Sequence, residues 1–259
     1  MGERDVVSLR DRSGPVEAVT FDVGLTLLSR PGRVPRRRLS GELTAWLQER
    51  GLRLEIDRYR RLRSEAALAF ARLTAEGREH EASKAIDDLV TSLELDLTDR
   101  DGAEVRRRLE LLFRDYPTRP ADGAVDALRR LRERGVKLGI VSNRSGRPGW
   151  MTRQYLEICG LACFFEPAAI AWSDEVGWRK PDPRIFLVAL RALGTAPQRA
   201  AHVGDSVKRD VVPARDLGML AIQYVGLREG AGGSRRADIV MRDYRELPAM
   251  LRQYGRPER

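Results

Sequence analysis

The stretch "VEAVTFDVG", residues 16–24, decides the fold. From Ala18 to Phe21 its residues are apolar or β-branched, with no alternation of polar side chains. That pattern predicts a short strand buried on both faces, the kind found in parallel sheets. Asp22 closes the run, and "FDVGLTLLSR", residues 21–30, gives it no acidic neighbour. A strand buried on both faces needs helices above and below, so the rest of the chain must supply them.

From Pro31 to Pro117 the pattern is helical throughout. "RRRLSGELTAWLQERG" spaces Leu39, Leu43, Trp46 and Leu47 three or four apart and closes at Gly51. "DRYRRLRSEAALAFARLTAEG", "EASKAIDDLVTSLEL" and "TDRDGAEVRRRLELLFRDY" repeat that spacing, which makes four helices. After Pro120 helices and strands alternate: helix "DGAVDALRRLRERG" before strand "KLGIVSN", then helix "DPRIFLVALRALG" before strand "RAAHVGD". Helix "KRDVVPARDLG" leads to strand "MLAIQYVG", and "ADIVM" precedes helix "YRELPAMLRQYG". Repeated βα units predict an α/β fold with a doubly wound parallel sheet, Rossmann-like, whose ligands sit at the carboxyl ends of the strands. The organisation read from these patterns is a polar leader over 1–15, an α/β core over 16–30 and 118–259, and an inserted four-helix domain over 31–117. "REGAGGSRR" near residue 230 reads as a surface loop.

Composition narrows the function classes. At 259 residues the chain is long enough for a full core plus a smaller module. It has no apolar run of the roughly 20 residues a membrane span needs, and its charged start has no apolar signal region, which predicts a cytoplasmic protein without a membrane partner. Cys159 and Cys163 are spaced as neither a redox pair nor a zinc knuckle. His80 and His202 are too few for histidine-based catalysis. The net charge of +9 is diluted by 38 acids, and only four of the 47 basic residues are lysines. Arginines spread along the whole chain read as a compositional bias, so no nucleic-acid partner is expected, and small anionic ligands are favoured.

Three polar groups follow directly on strands: Asp22; Ser142 with Asn143; and Asp205 with Ser206. Strand ends converge on one rim of a parallel sheet. Lys180, in "VGWRKPDPRIF", is read in the turn before a helix that takes Pro181 as its second residue. A lysine is a compact point charge, and this one stands out in an arginine-rich chain. The motifs "FDVGLT", "IVSN", "RKPDP" and "GDSVKRD", in that order, resemble those of the haloacid dehalogenase superfamily, in its branch with a helical cap inserted after the first strand. The resemblance runs from about residue 16 to the C-terminus.

It implies that Asp22 is a nucleophile forming an aspartyl-phosphate, and that Mg²⁺ is held by the Asp22 carboxylate, the Gly24 carbonyl and Asp205, with Asp210 orienting metal waters or Lys180. Ser142 and Lys180 would hold the transferring phosphoryl group, and Thr26 would bond within the nucleophile loop. Thr26, Asn143 and Arg144 are also candidates for contact with substrate. Each residue also has a plainer reading as a cap, turn or packing residue. In "NRSGRPGW", Arg147 and Trp150 offer a second contact at the rim. Arg36, Arg37 and Arg38 read as a solvated helix face, His202 as a satisfied buried histidine, and Trp172 and Trp178 as packing residues.

The family's usual phosphatase carries a second aspartate two residues after the first, and here that position is Gly24. General acid-base help is typically worth about 10²–10⁴-fold. Three readings follow: a Mg²⁺-dependent phosphomonoesterase acting on a small phosphorylated metabolite, a 2-haloacid dehalogenase, and a non-catalytic binding relative. The metal-binding acids of "GDSVKRD" favour the first. Substrate identity and oligomeric state are not legible at this level.

Overall fold

The structure, a computed structural model, describes residues 14–29, 43–53, 55–79, 81–111, 119–144, 149–227 and 232–254. Readings that concern Arg36, Arg37, Arg38, His80, Arg147, residues 1–13 and residues 228–231 lie outside them. Strand β1 is Ala18–Phe21. Residues 43–48 are helical, followed by α1 (Ile56–Ala75), α2 (Ala82–Ser92) and α3 (Asp99–Leu111). The remainder runs α4 (Ala124–Glu133), β2 (Lys137–Ser142), α5 (Gly149–Ile158), β3 (Ile170–Trp172), α6 (Ser173–Val176), α7 (Pro183–Ala192) and β4 (Ala200–Gly204). It continues with a π-helical turn (Val207–Val211), α8 (Val212–Asp216), β5 (Leu220–Tyr224), β6 (Ile239–Met241) and α9 (Leu247–Gln253).

Six strands form one parallel sheet in the order β3-β2-β1-β4-β5-β6. All four residues of β1 are buried, because the strand lies in the middle with an apolar layer on each side. Val19 and Phe21 pack on one face with Leu128 and Leu131 of α4 and Leu247 of α9. Ala18 packs on the other with Ile185, Phe186 and Ala189 of α7. The helical stretch buries its own apolar cluster of Leu43, Trp46, Leu47, Tyr59, Ile86, Leu93 and Val105. No helix among the described residues is long and apolar enough to cross a membrane.

Two local readings change. Strand β3 has no counterpart in the sequence pattern: three residues are too few to show a period, and of them only Trp172 is singled out, as a packing residue. Helix α7 starts at Pro183 rather than around Pro181, because the Asp182 carboxylate accepts the Arg184 N–H at 2.9 Å and caps the helix there.

Candidate active site

The chain runs from β1 outward to β2 and β3, then returns to the other side of β1 as β4, so the topological switch point lies between β1 and β4. Ligand crevices form beyond the carboxyl ends of strands at such a point. Asp22 follows β1 and Asp205 follows β4. The Asp22 N–H donates to the Val203 carbonyl at 2.9 Å, which ties the first acid to the strand leading to the second. Beyond Asp22 the chain turns tightly: Leu28 N–H donates to the Val23 carbonyl at 2.9 Å and Leu25 N–H to the Leu28 carbonyl at 2.8 Å. Leu25 takes a left-handed φ of +60° within this turn. The turn brings the fully buried Thr26 hydroxyl to 3.5 Å from Asp22 Oδ2.

Asp22 Oδ1 accepts two shorter hydrogen bonds, from Ser142 Oγ at 2.8 Å and Lys180 Nζ at 2.7 Å. The carboxylate therefore has one anchored oxygen and one lightly held. Ser142 in turn accepts from Arg144 Nη2 at 2.6 Å, which directs its single proton toward Asp22. Arg144 is buried, with a second guanidinium nitrogen on Thr152 Oγ1 and its guanidinium over the Trp172 ring at 4.6 Å. It braces Ser142 from behind. Asn143 clamps the backbone of Lys180 from both sides: its Oδ1 accepts the Lys180 N–H at 2.7 Å and its Nδ2 donates to the Lys180 carbonyl at 3.0 Å. Thus three residues read as substrate contacts, Thr26, Asn143 and Arg144, hydrogen-bond to the site's own side chains and backbone.

Lys180 bridges two acids, donating also to Asp210 Oδ1 at 2.5 Å. Burial works to strip its proton, but the charges of Asp210 and Asp22 and their hydrogen bonds outweigh that and hold its pKa above the ordinary lysine value. It is an ammonium at any working pH. Asp210 is itself completely enclosed. Burial would raise its pKa, yet Lys180 and His202 hold it below the usual carboxylate range. Its Oδ2 accepts the Ser206 N–H at 2.9 Å, and the π-helical turn that carries it rests directly on β4. Gly204 is required there, because a Cβ at that position would overlap Asp210 Cβ and Cγ.

His202 faces Asp210 through Nε2 at 3.2 Å and Thr20 Oγ1 through Nδ1 at 2.9 Å. A carboxylate only accepts, so the arrangement assigns the proton to Nε2 and makes Nδ1 the acceptor of the Thr20 hydroxyl. Burial, the largest influence, depresses its pKa despite Asp210, and the ring is neutral near pH 7. The chain Thr20, His202, Asp210, Lys180, Asp22 was only partly visible in sequence. Thr20 sits within a strand read as buried on both faces with no role for its hydroxyl, and only the pairing of β1 with β4 sets Thr20 beside His202.

The carboxylates of Asp22, Asp205 and Asp210 are all buried and offer oxygens within 4.8 Å of one another. Set against the single ammonium shared by Asp22 and Asp210, such a cluster of hard oxygen donors fits a divalent cation such as Mg²⁺. Gly24 is exposed, and no atom lies within 4 Å of where a Cβ would stand.

Residues 16–218 match the family model described as haloacid dehalogenase-like hydrolase, so the chain belongs to that family. It is 41% identical over 131 residues to a phosphoserine phosphatase of Thermus thermophilus, a match covering 49% of this chain and 50% of that protein. The chain thus spans about half the length of the curated relatives it matches. Among solved structures, a HAD phosphatase from Thermococcus onnurineus aligns over 91% of this chain and 97% of its own at 26% identity, with a TM-score of 0.54. A 2-haloacid dehalogenase from Pseudomonas syringae pv. Tomato shares the fold at 23% identity and a TM-score of 0.67, over 93% of this chain and 100% of its own.

Proposed function

We propose that this hydrolase is a Mg²⁺-dependent phosphomonoesterase for a small phosphorylated metabolite. The observation that carries the reading is the setting of Asp22: one oxygen anchored by Ser142 and Lys180, with Asp205 and Asp210 within 4.8 Å. Asp22, through its lightly held Oδ2, attacks phosphorus; the ester P–O bond breaks, and the leaving oxygen departs with a proton taken from solvent or substrate. Water then attacks the aspartyl-phosphate, releasing inorganic phosphate and restoring the carboxylate. Lys180 offers a cation to the phosphoryl oxygens, and the Ser142 hydroxyl offers a donor once its single proton turns from Asp22 to the bound group; Asn143 and Arg144 keep both residues in place. Asp22, Asp205, Asp210 and the Gly24 carbonyl would hold Mg²⁺, which when bound offsets phosphate charge facing the nucleophile.

The helical segment 31–117 is proposed as a cap on the core formed by 16–30 and 118–259. Its own apolar cluster supports that division, as do its two connections, which leave the core side by side: Ser29 N–H donates to the Arg119 carbonyl at 2.9 Å and Ala121 N–H to the Leu27 carbonyl at 2.8 Å.

The printed activity of the phosphoserine phosphatase relative supports the phosphatase reading. A dehalogenase has no need of a three-carboxylate cation site, and this disfavours the rival. The test is phosphate release from a panel of phosphorylated metabolites with Mg²⁺, beside Asp22→Asn. The variant is expected to fold and lose turnover, since an amide is neither an anionic nucleophile nor a charged metal ligand. A folded Asp22→Asn protein with near-normal rates, or halide release from a 2-chloroacid without phosphate release, would overturn the proposal.

A further inference from the structure

Glu79 lies just beyond α1, far from the strand ends in sequence, yet its side chain is wholly buried against the core. The backbone around it is clipped to the loop before Lys180. Arg78 bridges Trp178 in antiparallel fashion, Glu79 N–H donates to the Gly177 carbonyl at 3.2 Å, and Arg179 N–H donates to the Gly77 carbonyl at 3.0 Å. Gly77 and Gly177 take φ values of +73° and +77°, a left-handed conformation that side chains rarely adopt, so both partners of the clip turn on glycine.

The Glu79 carboxylate then reaches two arms of the site at once. Its Oε2 accepts the Ser173 hydroxyl at 2.7 Å, and Ser173 Oγ accepts the Arg144 N–H at 2.7 Å. Arg144 is the residue that braces Ser142. On the other side Arg179 Nη1 stands 3.5 Å from the carboxylate and donates to Thr74 Oγ1 at 2.8 Å, and Arg179 directly precedes Lys180. A buried carboxyl group that meets one arm at 2.7 Å and the other at 3.5 Å sets their spacing.

We propose that Glu79 is a positioning residue: the helical segment uses it to hold the Ser142 and Lys180 arms in register on Asp22. The site on the core is then complete only while the clip is made, although Glu79 itself touches neither Asp22 nor the phosphoryl group. The kinetic part of this proposal rests on the phosphatase reading; the geometric part does not.

The experiment compares Glu79→Ala, Glu79→Gln and Ser173→Ala with the full-length wild type. Displacements of about 1 Å in catalytic groups cost on the order of 10²-fold. Glu79→Ala is therefore expected to lower kcat for an aryl phosphate about 10- to 100-fold, with KM changed less than about threefold. Glu79→Gln keeps an acceptor for Ser173 and should recover most of the rate. Ser173→Ala, which removes one hydroxyl, should lower kcat in the same direction and serves if Glu79→Ala fails to fold. A purely structural role would lower the melting temperature and leave kcat of the folded fraction unchanged, and that outcome overturns the proposal. The second readout needs no turnover. In crystals of Glu79→Ala, or of Ser173→Ala, Ser142 Oγ or Lys180 Nζ should move beyond hydrogen-bond reach of Asp22 Oδ1, from 2.8 and 2.7 Å in the wild type. Unmoved distances would refute it. A wild type that releases no phosphate would sink the phosphatase reading alone and leave the crystallographic comparison to decide.

Discussion

Replacing Gly24 by aspartate is expected to convert the leaving-group preference of the enzyme. In the wild type no side chain stands two residues beyond Asp22, so the departing oxygen draws no proton from that position. Rates should fall steeply as the pKa of the leaving alcohol rises, with aryl phosphates, acyl phosphates and sugar 1-phosphates ahead of simple alkyl phosphates. The structure has room for the missing group. No atom lies within 4 Å of the Cβ position, Gly24 is exposed, and its φ is outside the left-handed range. An exposed substitution of that kind changes stability by only about 0.5 kcal/mol. The new carboxyl would stand two residues from Asp22, beside a cluster of three buried acids.

General acid help is worth about 10²–10⁴-fold, so kcat/KM for an alkyl phosphate should rise by that order in Gly24→Asp. An aryl phosphate, whose phenolate leaves unaided, should change less than about tenfold. The assay is phosphate release across a series of aryl and alkyl phosphates with Mg²⁺, with Asp22→Asn as the blank. A flat dependence on leaving-group pKa in the wild type, or an equal gain for both substrate classes, would refute the reasoning and place the proton donor elsewhere, first on the helical segment.

Gly204→Ala should displace Asp210, because the added methyl overlaps its Cβ and Cγ. The expected result is a loss of about 1–3 kcal/mol in chemical denaturation and a higher Mg²⁺ concentration for half-maximal rate; wild-type values for both would contradict the packing argument. Asp174 is pushed up to about 6, first by burial and further by Glu175, against the lowering from the Gly149 N–H and Arg144. The folded state therefore holds a proton that the unfolded chain has lost, and stability falls as pH rises from about 4 to about 6. Asp174→Asn keeps an acceptor for Gly149 and removes that penalty, so its melting temperature should exceed wild type above pH 6, by the equivalent of on the order of 1–3 kcal/mol, and match it below pH 4. A variant advantage that grows toward acid pH would show the sign to be wrong.

Strand β1 was legible because burial on both faces writes itself as an unbroken apolar and β-branched run, as in Ala18–Phe21. The helical stretch was legible because its apolar residues recur every three or four positions, and among the described residues Ile56–Ala75, Ala82–Ser92 and Asp99–Leu111 are helical where that spacing puts them. Strand β3 was not legible, because pairing with β2 rather than any local propensity makes Ile170–Trp172 extended. Asp22, Ser142, Lys180, Asp205 and Asp210 could be picked out by their places after strands and by motif order. Their neighbours could not be sorted in the same way. Asn143 clamps the Lys180 backbone, Arg144 turns back on Ser142, and Thr26 bonds Asp22 from within the core. Asn143 is turned by a partner 37 residues away, Arg144 is held by Ser173 and Thr152 beyond an intervening loop, and Thr26 is placed by a tight turn; a sequence encodes residue type rather than direction.

By itself, then, the sequence determined the α/β architecture and the placement of a helical stretch within it, through local periodicity, and the residue types expected at the rim, through their places after strands and the order of the motifs. Tertiary structure alone decided that Thr20 meets His202, that Gly204 makes room for Asp210 and that Glu79 is clipped against the loop before Lys180. Those contacts join segments whose mutual distance is set by packing, and packing has no signature along the chain until the chain has folded.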